Sequence, residues 1–193
     1  MYIRMEVVYS MNQVAPQPIR FRFAARKALA ALQIIVERHN GVDLHAALKS
    51  CYFADKKHLN QFGRPIFGAN YRAMRYGPVP LEIYEMAKGD PLWLAEVGME
   101  AFPWQLRGYR LFRSPESNAV TRAALSSSDL DALDEGIKRA CSMTFDERTA
   151  ATHGRDWQAA QLGMMRYEDM FDETPKKAEI VEELRASAQF MRL

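Results

Sequence analysis

The chain has 193 residues, 48% of them apolar and 26% charged, and a net charge of only +2. This balance suits a single globular domain with a real core and excludes low-complexity and fibrous classes. No apolar run reaches the roughly 20 residues needed to span a bilayer, and MYIRMEVVYSMNQVAPQP lacks a signal-peptide pattern, so no membrane association and a cytoplasmic location are expected.

Charge is unevenly spread. Residues 1–77 hold twelve Lys/Arg against four Asp/Glu, whereas residues 78–193 hold fourteen against twenty. One face could therefore attract an acidic partner or a nucleic acid, unless the two halves fold together and neutralise each other.

Residues 1–22 read as an N-terminal arm, with strand-like Val7-Val8-Tyr9 and then a Pro16-Gln17-Pro18 break. From Phe23, apolar residues at Ala24, Leu29, Leu32, Ile35 and Val36 recur at helical spacing, and Gly41 is expected to cap that helix. DLHAALKSCYFADKKHLNQFG is the clearest helix, with Asp43 as N-cap and Gly63 just past its end. Leu44, Leu48, Tyr52, Leu59 and Phe62 form its apolar stripe, and Asp55 falls on the same seam. A carboxylate there needs donors, because an unpaired buried charge costs several kcal/mol, roughly. Neighbouring backbone, His58 or an arginine could supply them; a catalytic carboxylate is the alternative reading.

Arg64-Pro65 and Phe67-Gly68 break helix, and residues 70–76 alternate as a strand would. Gly77-Pro78 reads as a turn, and Pro80 opens a helix that Gly89 stops. Arg107–Phe112 suggests a strand. Leu125-Ser126-Ser127-Ser128-Asp129-Leu130 carries a capping box, followed by the stripe Leu130, Leu133, Ile137 and Cys141. A short helix is expected at Phe145–Thr152, and Thr174-Pro175 introduces a last helix carrying Ile180, Val181, Leu184, Ala188 and Met191. The expected class is α+β, mostly α-helical: a single compact helical domain with a small β-hairpin.

Chemistry-bearing patterns are sparse. No phosphate-binding glycine loop occurs, and neither HExxH nor a Cys/His spacing suggests a metal. Cys51 and Cys141 read as buried small hydrophobes, and the two-turn spacing of Cys51 and His58 is too common to mark a nucleophile. His153, in Thr152-His153-Gly154-Arg155-Asp156-Trp157, reads as a packing residue beside tryptophan, since no nucleophile accompanies it. No cofactor, metal or catalytic residue is expected. Arg20, Arg22, Arg26 and Lys27, interleaved with Phe21 and Phe23, offer phosphate and base contacts, and a DNA-binding regulator of phage association is the alternative function.

CYFADKKHLNQFGRPIFGANYRAMRYGPVPLEIYEM resembles the core motif of the Panacea-domain, SocA-like antitoxins. The matching positions are Tyr52, Ala54 and Asp55, then Gly63, Arg64, Pro65 and Ile66, then Tyr76, Gly77, Pro78 and Val79. Leu125–Asp129 and the trio Thr152, His153 and Trp157 match later elements, so the resemblance covers roughly residues 26–160. It implies a Panacea-like domain over 23–160, followed by a C-terminal extension over 161–193 with the last helix. The function it implies is neutralisation of a cognate protein toxin by direct binding, with adaptor delivery to the ClpXP protease as an elaboration. Nucleic acid would then not be the partner. On this reading Tyr52, Asp55, Gly63, Arg64, Pro65, Gly77, Pro78, Val79, His153 and Trp157 hold the scaffold. Tyr71, Arg72, Met74, Arg75 and Tyr76 face the partner. Alternation along a strand would put Tyr71 with Ala73 and Arg75, and Arg72 with Met74 and Tyr76.

Overall fold

The structure, a computed structural model, describes residues 17–115 and 122–193. The strand-like Val7-Val8-Tyr9 therefore lies outside the described residues.

Helix α1 (Ala25–Arg38) and helix α2 (Leu44–Phe62) are joined by a tight turn and the short strand β1 (Val42–Asp43). Gly41 does not cap α1, which ends at His39. Its φ of +82° serves the turn instead, and its N–H donates to Leu111. Helix α2 begins and ends as its sequence dictates. The Asp43 carboxylate accepts the Ala46 N–H, and Gly63 takes the left-handed conformation that lets the chain leave. Leu44, Leu48, Tyr52 and Leu59 are buried, but Phe62 is 55% exposed, because the helix stops there and the last turn overhangs the core.

The next elements are β2 (Tyr71–Met74), β3 (Gly77–Pro80), α3 (Leu81–Ala87) and α4 (Pro91–Val97). Strands β2 and β3 pair antiparallel, from Tyr71 opposite Pro80 to Met74 opposite Gly77. The turn is therefore Arg75-Tyr76, two residues earlier than the expected Gly77-Pro78. Gly77, at φ +96°, is the left-handed residue that brings such a turn back into register. The expected strand at 107–112 is a hairpin, β4 (Trp104–Arg107) and β5 (Arg110–Arg113), folded at Gly108-Tyr109. Strand β1 pairs with β5, giving the sheet order β1-β5-β4.

Helix α5 (Ser127–Cys141) starts with the expected capping box between Ser126 and Asp129. Its inner face is Ala132, Leu133, Gly136, Ile137 and Ala140, packed along α2. Gly136 makes that approach possible, since a Cβ there would collide with the Ser50 carbonyl oxygen of α2. The remaining helices are α6 (Phe145–Thr152), α7 (Arg155–Ala159), α8 (Tyr167–Met170) and α9 (Lys177–Ser187). Val181, Leu184 and Ala188 reach the same core that buries Leu32, Ile35, Leu59 and Ile83. The result is a mostly helical α+β fold with two small antiparallel sheets.

Before α1, residues 19–23 alternate in burial. Ile19 is buried, Phe21 and Phe23 pack inward, and Arg20 and Arg22 face solvent. Phe21 meets Tyr167 edge-on and Phe23 meets Trp93 edge-on. Lys27 also turns inward, to Asp129 at 2.6 Å. Of the six residues considered for nucleic-acid contact, the two aromatics and the lysine are thus committed to the fold.

Candidate partner-binding surface

Asp55 organises the central motif. Its side chain is fully buried, and Oδ1 accepts the backbone N–H groups of Ile66 (2.7 Å) and Phe67 (3.0 Å), while Oδ2 accepts the Tyr71 hydroxyl (3.0 Å). One carboxylate on α2 therefore fixes both the loop after Gly63 and the start of β2. Burial pushes Asp55 up to about 7, against the pull of these three donors. The expectation that neighbouring backbone satisfies Asp55 holds; neither His58 nor an arginine is its partner. Tyr71 is the counterpart correction. It is buried against Asp55 and cannot face a partner.

The hairpin beyond Tyr71 is tied down through alternate carbonyls. Trp157 Nε1 donates to Met74 (2.9 Å), His45 Nε2 to Tyr76 (3.0 Å) and Lys49 Nζ to Pro78 (2.7 Å). The His45 tautomer follows from its other nitrogen, which accepts from Arg148 Nε at 3.2 Å, leaving the proton on Nε2. Burial, opposed by the Tyr76 bond and aided by the Lys49 and Arg148 charges, holds His45 down to about 4. Burial and then Arg148 lower Lys49 to about 7. Arg148 itself grips both Asp43 oxygens at 3.0 Å and the carbonyls of Ala140 and Met143. His153 stacks on Trp157 at 3.8 Å and 11°, the packing role expected of it.

What this scaffold leaves outside is an arginine–aromatic surface. Arg72, Arg75 and Tyr76 are exposed and Met74 is half-buried. The Arg75 guanidinium lies 5.4 Å from the Tyr76 ring centroid, and Tyr76 meets Phe145 edge-on at 5.1 Å. On the other side, residues 163–165 run along β2: Ala73 donates to Gly163, Met165 donates to Tyr71, and Met164 lies opposite Arg72. Leu162 and Met164, each more than half exposed, extend the apolar surface. Gln161 and Leu162 hold φ of +46° and +62°, a conformation that costs about 1–3 kcal/mol per non-glycine residue. Phe145, Leu162 and Met164 were invisible as surface residues in sequence, because nothing local tells which apolar residues the fold leaves uncovered.

Cys51 and His58 are both committed to the fold. Burial pushes the Cys51 thiol up, away from the thiolate a nucleophile needs. His58 is shared between the Arg64 carbonyl (2.8 Å) and Ser128 Oγ (3.1 Å). Among the described residues no three His, Cys, Asp or Glu side chains are grouped to hold a metal, and no helix is long and apolar enough to cross a membrane.

The family model for the antitoxin SocA-like Panacea domain matches residues 48–158. The chain belongs to this family. The match takes in Asp55, Lys49, the β2–β3 hairpin and the His153–Trp157 stack, while Asp43, His45 and residues 163–165 of the scaffold lie outside it. Helix α1, the segment before it and everything after residue 158 lie outside the matched span. No curated protein and no solved structure matches the chain.

Proposed function

We propose that this Panacea-domain protein is the antitoxin of a toxin–antitoxin pair, acting in the cytoplasm by binding a cognate protein toxin and using no catalytic step of its own. The observation that carries this reading is the rigid hairpin, whose Met74, Tyr76 and Pro78 carbonyls are each tied to a different side chain of the surrounding helices. Rigidity lowers the entropy lost on association, and arginine, tyrosine and methionine side chains are the chemistry of binding hot spots. Arg72, Met74, Arg75 and Tyr76 form the centre of the contact, with Phe145 and Met164 beside them. Presenting the bound toxin to the ClpXP protease is the elaboration that suits an adaptor, since one face holds the toxin and the rest of the surface stays free.

Co-expression with the toxin tests this reading. The double reversal Arg72→Glu with Arg75→Glu alters exposed side chains only, so the protein should melt as before yet lose protection. Full protection by a folded double variant overturns the assignment of this surface. Toxin half-life with and without ClpXP, at equal antitoxin level, separates blocking from delivery.

A further inference from the structure

A second surface lies outside the matched domain, where the segments preceding α1 and following α9 meet. Ile19 donates its backbone N–H to Glu168 Oε1 at 3.2 Å, and Arg185 of α9 reaches the same oxygen at 3.6 Å. Glu168 is buried, so it joins both segments to α8. At Gly68 the two segments close together: the position a Cβ would take lies 2.6 Å from the Arg22 carbonyl oxygen and 2.7 Å from Leu193 Cδ1.

This closure collects arginines that are far apart in sequence. Arg20 and Arg22 face solvent on the side opposite the inward row Ile19, Phe21 and Phe23. Alternate residues of an extended segment lie about 6.6 Å apart, which is also the spacing of alternate side chains in an extended peptide partner. Arg26 is exposed in the first turn of α1, and Arg192 is exposed beside Leu193. Phe190, 78% exposed, adds an aromatic group two residues before Arg192. Among the described residues none of these four arginines makes an ion pair. Arg38, Arg64, Arg148, Arg155, Arg166 and Arg185 each face a carboxylate; Arg72, Arg75, Arg107, Arg110, Arg113 and Arg139 do not, but they lie apart from this closure, whereas the four here belong to segments that converge at Phe67-Gly68.

We infer that this surface docks a short acidic segment of a protein partner in extended conformation. Converging arginines without carboxylates suit an anionic partner, and the backbone of residues 19–24, bonded at Ile19 and Ala24, holds Arg20 and Arg22 on one side before that partner arrives. A long nucleic acid fits less well. Phe21 and Phe23 are turned inward, against Tyr167 and Trp93, and cannot stack on bases. The inference uses no residue of the hairpin surface, so the two can fail independently.

The test is fluorescence anisotropy at low salt with three labelled probes: a Glu-Thr repeat peptide, a Gln-Thr repeat of equal length, and single-stranded DNA of matched charge. The acidic peptide should bind and the neutral one should not. Arg20→Glu with Arg22→Glu should weaken the acidic peptide by at least about tenfold, the scale of losing one good charge contact. Arg107→Glu with Arg113→Glu is the control. Those exposed arginines sit near the other end of α1, about 20 Å away for a helix of this length, and their reversal should leave binding unchanged. A thermal melt accompanies each variant, and Arg20→Gln with Arg22→Gln, which adds no repulsion, should give an intermediate loss. Equal binding of the neutral peptide, equal loss in the control variant, or DNA bound more tightly than the peptide and lost on the same reversal would each overturn the proposal.

Discussion

Tyr71 donates its hydroxyl to Asp55 Oδ2 across 3.0 Å, and both side chains are sealed from solvent. The pair joins the longest helix to the first residue of the hairpin, so everything the hairpin presents outward depends on it. Asp55→Ala should strand two backbone N–H groups and one hydroxyl and lower stability by about 3 kcal/mol, at the upper end for unsatisfied buried donors. Asp55→Asn keeps an acceptor for Ile66 and Phe67 and should cost clearly less. Urea titrations of the two variants check the order; equal losses would mean that volume, not hydrogen bonding, decides the site.

Burial raises Asp55 to about 7 from its ordinary 3.8. Between those values the folded state keeps a proton that the unfolded state has shed, so this group's contribution falls as pH rises from about 4 to 7. Relative to Asp55→Asn, the natural protein should lose stability over that interval and run parallel to the variant above it. Chemical denaturation at a series of pH values reads this directly.

Lys49 gives the opposite slope in a different window. The folded chain releases its proton near 7, whereas the unfolded chain holds it to 10.5, so stability rises with pH above 7. One proton corresponds to at most about 1.4 kcal/mol per pH unit. Lys49→Met, which keeps the stem but has no titrating group, should remove that rise between pH 7 and about 9, the ordinary thiol range beyond which buried Cys51 adds an opposing slope. Parallel curves for the two proteins would show that Lys49 stays charged beneath the hairpin.

Gly136→Ala should separate α2 from α5, because the new methyl group meets the Ser50 carbonyl, which the helix holds in place. Overpacking of this kind costs about 1–3 kcal/mol. Gly63→Ala is the contrast: a Cβ there meets nothing within 4 Å, and only the left-handed backbone, at φ +69°, opposes it. Thermal melts should therefore show a loss at both sites for different reasons, with crystallographic displacement of α5 only in the first.

Much of this architecture was legible locally. Asp43, Gly63, the Ser126–Asp129 box and the Phe145–Thr152 helix needed only neighbouring residues to specify them, and each stands where its sequence pattern puts it. What escaped is long-range. Residues 163–165 running along β2 is a contact between segments some ninety residues apart, and no periodicity announces it. Lys49 and Arg148 carry no sequence signal of burial, yet both are buried, because the carbonyls and carboxylate they serve come from other elements. Tyr71 read as an interface aromatic because alternation gives two faces without saying which is inside. At the candidate surface, Arg72, Arg75 and Tyr76 were named in advance, while Phe145, Leu162 and Met164 required the fold.

The bond from Ile19 to Glu168 spans 149 positions in the chain. A ribosome adding 5–20 residues per second takes about 7–30 s to cover that distance. Throughout that interval the apolar side of residues 19–21 exists without Tyr167 or Glu168 to receive it. The first described segment to be synthesised is thus among the last to find its place, and nascent chains that stop before residue 168 leave Ile19 and Phe21 uncovered. Such fragments should be bound by chaperones or cleared by proteases far more readily than chains that extend past residue 168, so abundance depends on synthesis beyond that point as well as on the stability of the central motif.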